Sequence, residues 1–145
     1  MTERDGDGAS PMPILIALGV ALVVLAVVGI TWLLSDQPMS EDLKVSRAAI
    51  GQNDALQRGS YPDFRKYTCA AQQGTEAEVL ARQQKSTATQ GARYVDDVTG
   101  VAIDGDRATA TVVYHFERAP DDKIKAPMTF TREDGEWTVC SPGPM

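Results

Sequence analysis

The feature that most constrains this chain is an apolar run of 23 residues, 12–34, that contains no charged residue. As a helix it would be roughly 34 Å long, slightly more than the ~30 Å hydrocarbon core of a bilayer. Pro13 suits the first turn of a helix, and Trp32 lies near the far end, where an indole ring favours the lipid–water boundary. The run therefore predicts one membrane-spanning helix over 12–34, and the lipid bilayer is the first expected partner.

Three other interpretations of the run fit less well. A cleaved signal peptide has a basic start and an apolar stretch of about 7–15 residues, whereas the start here is acidic apart from Arg4. A lipoprotein needs a cysteine just after the run, and none is present. A buried core helix rarely extends this far without a charge. The positive-inside rule leaves the orientation open, because Arg4 lies on one side and Lys44 and Arg47 on the other.

Composition divides the chain around this run. The expected parts are a short acidic cytoplasmic tail at 1–11, the transmembrane helix at 12–34, a linker at 35–39 and one extracytoplasmic domain at 40–145. Of the 20 acidic and 14 basic residues, 17 and 13 follow position 34, so the linker and domain together have a net charge of −4. Such a domain lacks the basic stripe that nucleic-acid binding requires, and no nucleic-acid partner is expected.

The only two cysteines, Cys69 and Cys140, both lie in the domain. A lone pair behind an export anchor predicts a disulfide in an oxidising compartment, with the N-terminus cytoplasmic and the domain outside. The alternative is two unpaired thiols facing the cytoplasm. Two separated cysteines and the single His115 form no metal-ligand cluster, so no metal and no cofactor are expected.

Three helices are expected after the anchor. Ser40 and Thr75 are N-cap residues before acidic first turns, and Pro62 suits the first turn of a short helix. The expected ranges are 41–58, a short helix from 61 that carries Cys69, and 76–85, with a loop at 86–91. Gly51 is expected to weaken the middle of the first of them.

From residue 93 the apolar pattern changes to a period of two, which predicts strands. The expected strands are 93–103, 107–117, 123–132 and 137–140, with a turn at 119–122. A phase slip around Gly100 predicts a β-bulge, Asp104-Gly105 predicts a hairpin, and Pro127 predicts an edge or a bulge. Helices followed by an antiparallel meander predict an α+β fold, in which two or three helices pack on a bent four-stranded sheet.

Three segments, ALQRGSYPDFRKYTCA, VTGVAIDGDRATATVVY and DGEWTVCSP, follow the apolar anchor. Together they resemble the single-pass membrane proteins of mycobacteria and related actinobacteria whose outer domain is like nuclear transport factor 2. The resemblance covers about 40–142 and is sharpest at Cys69 and Cys140. It implies the cone-like fold that also occurs in ketosteroid isomerase and scytalone dehydratase. A neighbouring group, associated with mycobacterial cell-entry lipid transporters, is usually longer. Most such proteins have no established activity, so the resemblance implies fold and location rather than function.

Folds of this kind often enclose a pocket, in which enzymes use an Asp base and a Tyr donor. By residue type the candidates are Tyr67, Tyr94, Asp96, Asp97, Tyr114 and His115. Tyr114 is expected to be a core aromatic, and the adjacent aspartates and His115 are expected to be solvated. The candidate pocket-lining residues are Tyr94, Val112, Tyr114 and Phe116. No residue is assigned a catalytic role.

The expected function is a non-enzymatic binding or interaction module of the cell envelope. Its expected partner is an envelope protein or a small apolar ligand. One alternative is an isomerase- or dehydratase-like enzyme that uses an Asp/Tyr pair in the cone. Another is a subunit of a larger envelope complex.

Overall fold

The computed structural model describes residues 12–35 and 38–143, and the side chains of the first helix from 18 to 31. The helices are α1 (Met12–Ser35), α2 (Glu41–Gln57), α3 (Tyr61–Lys66) and α4 (Glu76–Gln90). The strands are β1 (Arg93–Asp104), β2 (Arg107–Phe116), β3 (Ala119–Glu133) and β4 (Glu136–Val139). The predicted tail at 1–11 and the linker residues 36 and 37 lie outside the described residues. The chain divides into two compact units, one ending at Pro38 and the other beginning at Met39.

The first unit contains α1, an uninterrupted helix over the apolar run. Its side chains from Leu18 to Thr31 are exposed on every side of the helix. Leu25 is 67 % exposed and Val23 is 64 % exposed. Within residues 18–31 and 38–143, whose side chains the structure describes, no helix is both long enough and apolar enough to cross a membrane.

The second unit is α+β, with the four strands in the order β1-β2-β3-β4 and every neighbouring pair antiparallel. This is the predicted meander. The predicted bulge is confirmed by a register shift between Thr99 and Ala102, where Gly100 has φ +62°. The hairpin is confirmed too: Asp104 pairs with Arg107, and Gly105 has the positive φ that a two-residue turn requires.

Pro127 lies in β3, opposite Thr111 of β2. On the other side of β3, pairing with β4 begins only at Phe130. Position 127 is therefore at an edge, where a missing N–H interrupts no ladder. The prediction of an edge is confirmed.

Two predicted boundaries at the strands and α4 are wrong. The turn before β3 is at 117–118 rather than 119–122, because Phe116 already pairs with Ala119. Helix α4 continues through the predicted loop to Gln90. Its last turn is stabilised by Arg118, whose Nη1 donates to the carbonyl oxygens of Ala88 and Thr89 at 2.8 Å each. Those carbonyls would otherwise lack partners.

The prediction that the second helix carries Cys69 is also wrong, since α3 ends at Lys66. Residues 67–69 instead extend beside β4, where Thr68 forms a parallel bridge with Val139. The Cys69 N–H donates to the Val139 carbonyl at 2.9 Å, and the Val139 N–H donates to the Tyr67 carbonyl at 2.8 Å. These two bonds hold the segment in an extended conformation.

This segment brings the two cysteines together. Cys69 and Cys140 form a disulfide, with Cα atoms 5.2 Å apart and 71 positions apart in sequence. The predicted pairing is confirmed. In the chain-entropy account, closing a loop of that length stabilises the fold by about 4 kcal/mol.

The inner face of the sheet is covered by α2, and the unit has two apolar clusters, one between α2 and the sheet and one among the helices. We call the larger one the sheet cluster; its buried members are Val45, Ala48, Ala49, Ala108, Ala110, Val112, Tyr114, Met128, Phe130, Trp137 and Val139. We call the smaller one the corner cluster; its buried members are Ala55, Phe64 and Val79, with Leu56 and Tyr61 packed against them. Both clusters use α2, at opposite ends.

Candidate functional site

A cavity of about 110 Å³ opens beside the corner cluster. Helices α2, α3 and α4 contribute its apolar wall, through Leu56, Phe64 and Val79. The other lining residues are Gln52, Thr68, Gln72, Arg82, Gln83, Ser86, Arg93, Ser141, Pro142 and Gly143. Ser141, Pro142 and Gly143 form the C-terminal part of the lining. They follow directly after Cys140, so the disulfide fixes the start of this segment.

Arg93, the first residue of β1, is the most deeply buried charged group in the cavity lining and is 7 % exposed. Its Nε donates to Asn53 Oδ1 at 2.8 Å, and its carbonyl accepts from Asn53 Nδ2 at 3.0 Å. Its N–H also donates to Gln57 Oε1 at 3.3 Å. Two side chains of α2 therefore hold the start of β1 and set the position of the guanidinium.

The guanidinium lies over an aromatic ring, with Arg93 Cζ 5.1 Å from the Tyr114 ring centroid. Burial lowers the pKa of Arg93, and the nearby Tyr114 opposes that change. Burial raises the pKa of Tyr114, whose hydroxyl donates to Met128 Sδ at 3.0 Å. Because the ordinary pKa of an arginine lies far above neutral pH, Arg93 stays charged there. The cavity thus has a positive charge fixed in its wall.

The neighbouring polar side chains are also positioned by hydrogen bonds. Gln52 Nε2 donates to Thr68 Oγ1 at 2.9 Å, and both residues are buried. Ser141 Oγ accepts from the Thr129 N–H at 3.1 Å. The Gln52 amide, the Thr68 and Ser141 hydroxyls and the Arg93 guanidinium are the positioned polar groups of the cavity lining.

The structure places the four candidate pocket-lining residues elsewhere. Val112 and Tyr114 belong to the sheet cluster, and Phe116 is buried. Tyr94 is 47 % exposed, on the face of the sheet opposite the sheet cluster, which we call the outer face. Helix α2 packs directly against the inner face of the sheet, and the cavity lies beside the corner cluster instead.

Sequence reasoning missed Gln52 and Arg93, although their positions carried a signal. Gln52 follows Val45 by seven residues, which places it on the buried stripe of α2. Arg93 precedes Val95 by two, which places it on the inner face of β1. Polar residues on such faces are the ones that need buried partners.

The acid–base candidates lie mostly on the outer face. His115 Nδ1 is 2.8 Å from Asp96 Oδ1 and 3.2 Å from Lys123 Nζ, and its ring stacks on Tyr94 with centroids 5.0 Å apart. The hydrogen bond from His115, followed by that from Lys123, lowers the pKa of Asp96 against the opposing effect of burial. Asp97 is exposed, and Tyr67 packs against Gly51. The predicted burial of Tyr114 is confirmed, since it is 1 % exposed.

A second, more open depression of about 550 Å³ lies between the end of α2 and α4. We call it the α2–α4 groove. Leu56 and Gln83 line both the groove and the cavity, so the two adjoin at these side chains. Leu80 and Ala88 add apolar surface along the groove. Among the described residues, no group of three or more His, Cys, Asp or Glu side chains is placed to hold a metal ion.

Comparison with known proteins gives likenesses of fold. No family model and no curated relative matches this sequence. A proposed NTF2-like transpeptidase from Campylobacter jejuni is 17 % identical, with a TM-score of 0.48 over 65 % of this chain and 94 % of that one. An NTF2-like protein of unknown function from Shewanella oneidensis MR-1 is 15 % identical, with a TM-score of 0.46 over 66 % and 91 %.

A proposed dehydratase of the NTF2-like family from Streptomyces avermitilis is 18 % identical, with a TM-score of 0.41 over 69 % of this chain and 93 % of that one. At this level of similarity the neighbours' activities do not transfer to this chain. Its own residues must carry any functional conclusion.

Proposed function

We propose that this chain is a membrane-anchored binding module of the cell envelope that holds a small, partly apolar molecule in the cavity. The N-terminus is cytoplasmic in this proposal, and the unit from Met39 onward is extracytoplasmic. The observation that carries it is a cavity whose lining combines apolar side chains with buried, hydrogen-bonded polar groups. Small-molecule sites combine these two elements, the first for affinity and the second for orientation.

Two observations support the location. The run at 12–34 has no charged residue, and α1 forms one helix along it. The only two cysteines are joined in a disulfide, which persists in oxidising compartments and is rare in the cytosol.

The composition of the cavity favours binding over acid–base catalysis. Of the described residues that line it, none is an aspartate, a glutamate, a histidine or a tyrosine. An isomerase or dehydratase of the expected kind needs a carboxylate base within reach of a donor. Asp96 instead pairs with His115 and Lys123 on the outer face.

The location is tested by labelling the thiols of Cys69 and Cys140 with a membrane-impermeant reagent in cells that express the full chain. We expect labelling of intact cells only after treatment with an impermeant reductant. Labelling that needs no reductant and occurs only after lysis would place reduced thiols in the cytoplasm and end the proposal.

Binding is tested by filling the cavity. Ser86 lines it from α4, and Ala81 is exposed on the same helix and lines neither the cavity nor the α2–α4 groove. We expect Ser86→Phe to abolish the chemical-shift changes that a panel of small partly apolar molecules causes in the full chain in lipid nanodiscs. Ala81→Phe should leave them unchanged. If no molecule of the panel shifts cavity resonances, the binding function is wrong.

A further inference from the structure

Helix α2 has apolar side chains on both of its faces. One face packs into the sheet cluster. On the opposite face Leu43 and Ile50 are 57 % and 51 % exposed, the highest values for large apolar side chains among the described residues from 39 onward. Leu43, Arg47 and Ile50 are spaced by four and three positions, so they form one exposed stripe along the helix. We call it the α2 stripe.

The position of the α2 stripe in the chain limits what it can meet. Helix α1 ends at Ser35, and Met39, which is 37 % exposed, follows four positions later. Four residues of fully extended chain span at most about 14 Å. In the proposed function α1 crosses the bilayer, so this short connection keeps the start of α2 close to the lipid surface. The bilayer is therefore the apolar surface that the chain itself brings to the stripe.

The side chains of the α2 stripe suit a phospholipid surface. Arg47 is exposed between the two apolar residues. A long basic side chain can lay its apolar stem along lipid while its charged end meets the headgroup phosphates. The residues after position 34 have a net charge of −4, so attraction to anionic lipids cannot drive the contact. Burial of the apolar side chains must supply most of the affinity.

We propose that the α2 stripe docks the second unit on the surface of the bilayer that holds α1. Leu43 and Ile50 enter the boundary between headgroups and acyl chains, and Arg47 meets the headgroup phosphates. The contact ends at Asp54, an acidic residue on the same face that pairs with Arg58 at 2.9 Å. This inference rests on the membrane anchoring proposed above and adds a second contact with lipid.

The test measures how close the stripe comes to lipid. The full chain is placed in phosphatidylcholine nanodiscs in which a small fraction of the lipid carries a gadolinium chelate on its headgroup. The chelate increases the NMR relaxation of nearby methyl groups, and the increase falls steeply with distance. Ile124, 37 % exposed on β3, is the reference. Since a docked helix lies about 5–10 Å into the headgroup boundary, we expect increases at Leu43 and Ile50 about fivefold larger than at Ile124.

Variants show which side chains hold the contact. Leu43→Ser combined with Ile50→Ser should reduce the relaxation increase at the Arg47 amide by about threefold or more, because two apolar side chains no longer leave water. Ile124→Ser is the matched control and should leave it unchanged. The substituted positions are exposed, so the shifts of Val112 in the sheet cluster should stay the same. No reduction in the double variant would overturn docking through this stripe.

The outcomes separate this inference from the anchoring on which it rests. If the nanodiscs do not retain the full chain, anchoring and docking both fail. Retention with equal increases at Ile50 and Ile124 would leave the anchor and overturn the docking. A larger increase at Ile103, in the β1–β2 hairpin, than at Ile50 would turn the hairpin toward lipid and contradict the proposed face. Stripe signals that respond to the number of chains per nanodisc, and not to the chelate, would assign the stripe to a second copy.

Discussion

The sheet cluster and the corner cluster share α2 but differ in packing. The sheet cluster has 11 buried residues, among them Val112, Phe130 and Val139 at 0–1 % exposure. The corner cluster has three, and the cavity lies beside it. The sheet cluster therefore contributes most of the packing that stabilises this unit, whereas the corner cluster leaves room for a ligand. Each of the following changes tests that division.

The largest effect is expected from the disulfide, because it connects the segment after α3 to the end of β4. Replacing both Cys69 and Cys140 by alanine should lower the free energy of unfolding by about 4 kcal/mol. Urea unfolding of the full chain, followed by tryptophan fluorescence, measures the change. Reduction of the unsubstituted protein should give the same loss. A loss under about 1 kcal/mol would mean that the hydrogen bonds of residues 67–69 alone hold the corner in place.

A matched pair of substitutions compares the clusters directly. Phe130 is 1 % exposed in the sheet cluster, and Phe64 is 6 % exposed in the corner cluster. Phe130→Ala should cost about 3 to 4 kcal/mol, because a closed core cannot relax around the void. Phe64→Ala should cost about 2 kcal/mol, because Phe64 already borders open space. Equal losses in urea unfolding would show that the corner is packed as tightly as the sheet.

The sequence predicted the sheet cluster better than the corner. Alternation along β2 is a local pattern, and it placed Val112, Tyr114 and Phe116 on the buried face, where each is at most 3 % exposed. The turn signals at Gly100 and Gly105 are local too. The disulfide could be predicted because the chain has no other cysteine to choose from.

The corner depends on contacts between distant parts of the chain. Asn53 and Arg93 are 40 positions apart, and their mutual hydrogen bonds place the charge in the cavity. Arg118 stabilises the last turn of α4 from 30 and 29 positions away. No local pattern specifies such pairs, so both the last turn of α4 and the location of the cavity were missed.

Gly51 lies on α2 between the two clusters. In the interior of a helix, Gly→Ala usually raises the free energy of unfolding by about 1 kcal/mol. A Cβ at this position would lie 2.6 Å from Tyr67 Cζ. We therefore expect Gly51→Ala to destabilise the unit by about 1 to 2 kcal/mol, because the ring must move. In a Tyr67→Ala background the same change should be neutral or stabilising. A stabilising Gly51→Ala in the unsubstituted chain would show that the Tyr67 ring moves at little cost. The difference in packing between the two clusters would then be larger than expected.

The smallest effect is expected at α3. This helix has few apolar contacts in the corner cluster, and polar side chains at the surface also hold it. Hydrogen bonds from Lys66, Ser60 and Arg58 lower the pKa of Asp63 to about 2. A carboxyl whose folded pKa is lowered stabilises the fold above its unfolded pKa of about 3.9, and that contribution is lost as the pH falls through about 2.

Because Asp63 lies at the surface, salt should weaken the effect. An NMR titration of its side-chain carboxyl carbon should have a midpoint near 2. Lys66→Gln should move the midpoint toward the ordinary aspartate value, since the Lys66 bond is the largest cause of the shift. Lys44→Gln is the control, because Lys44 pairs with Glu41 instead. A midpoint near 4 in the unsubstituted chain would show that these contacts do not persist in solution, and that other contacts of α3 hold it in place.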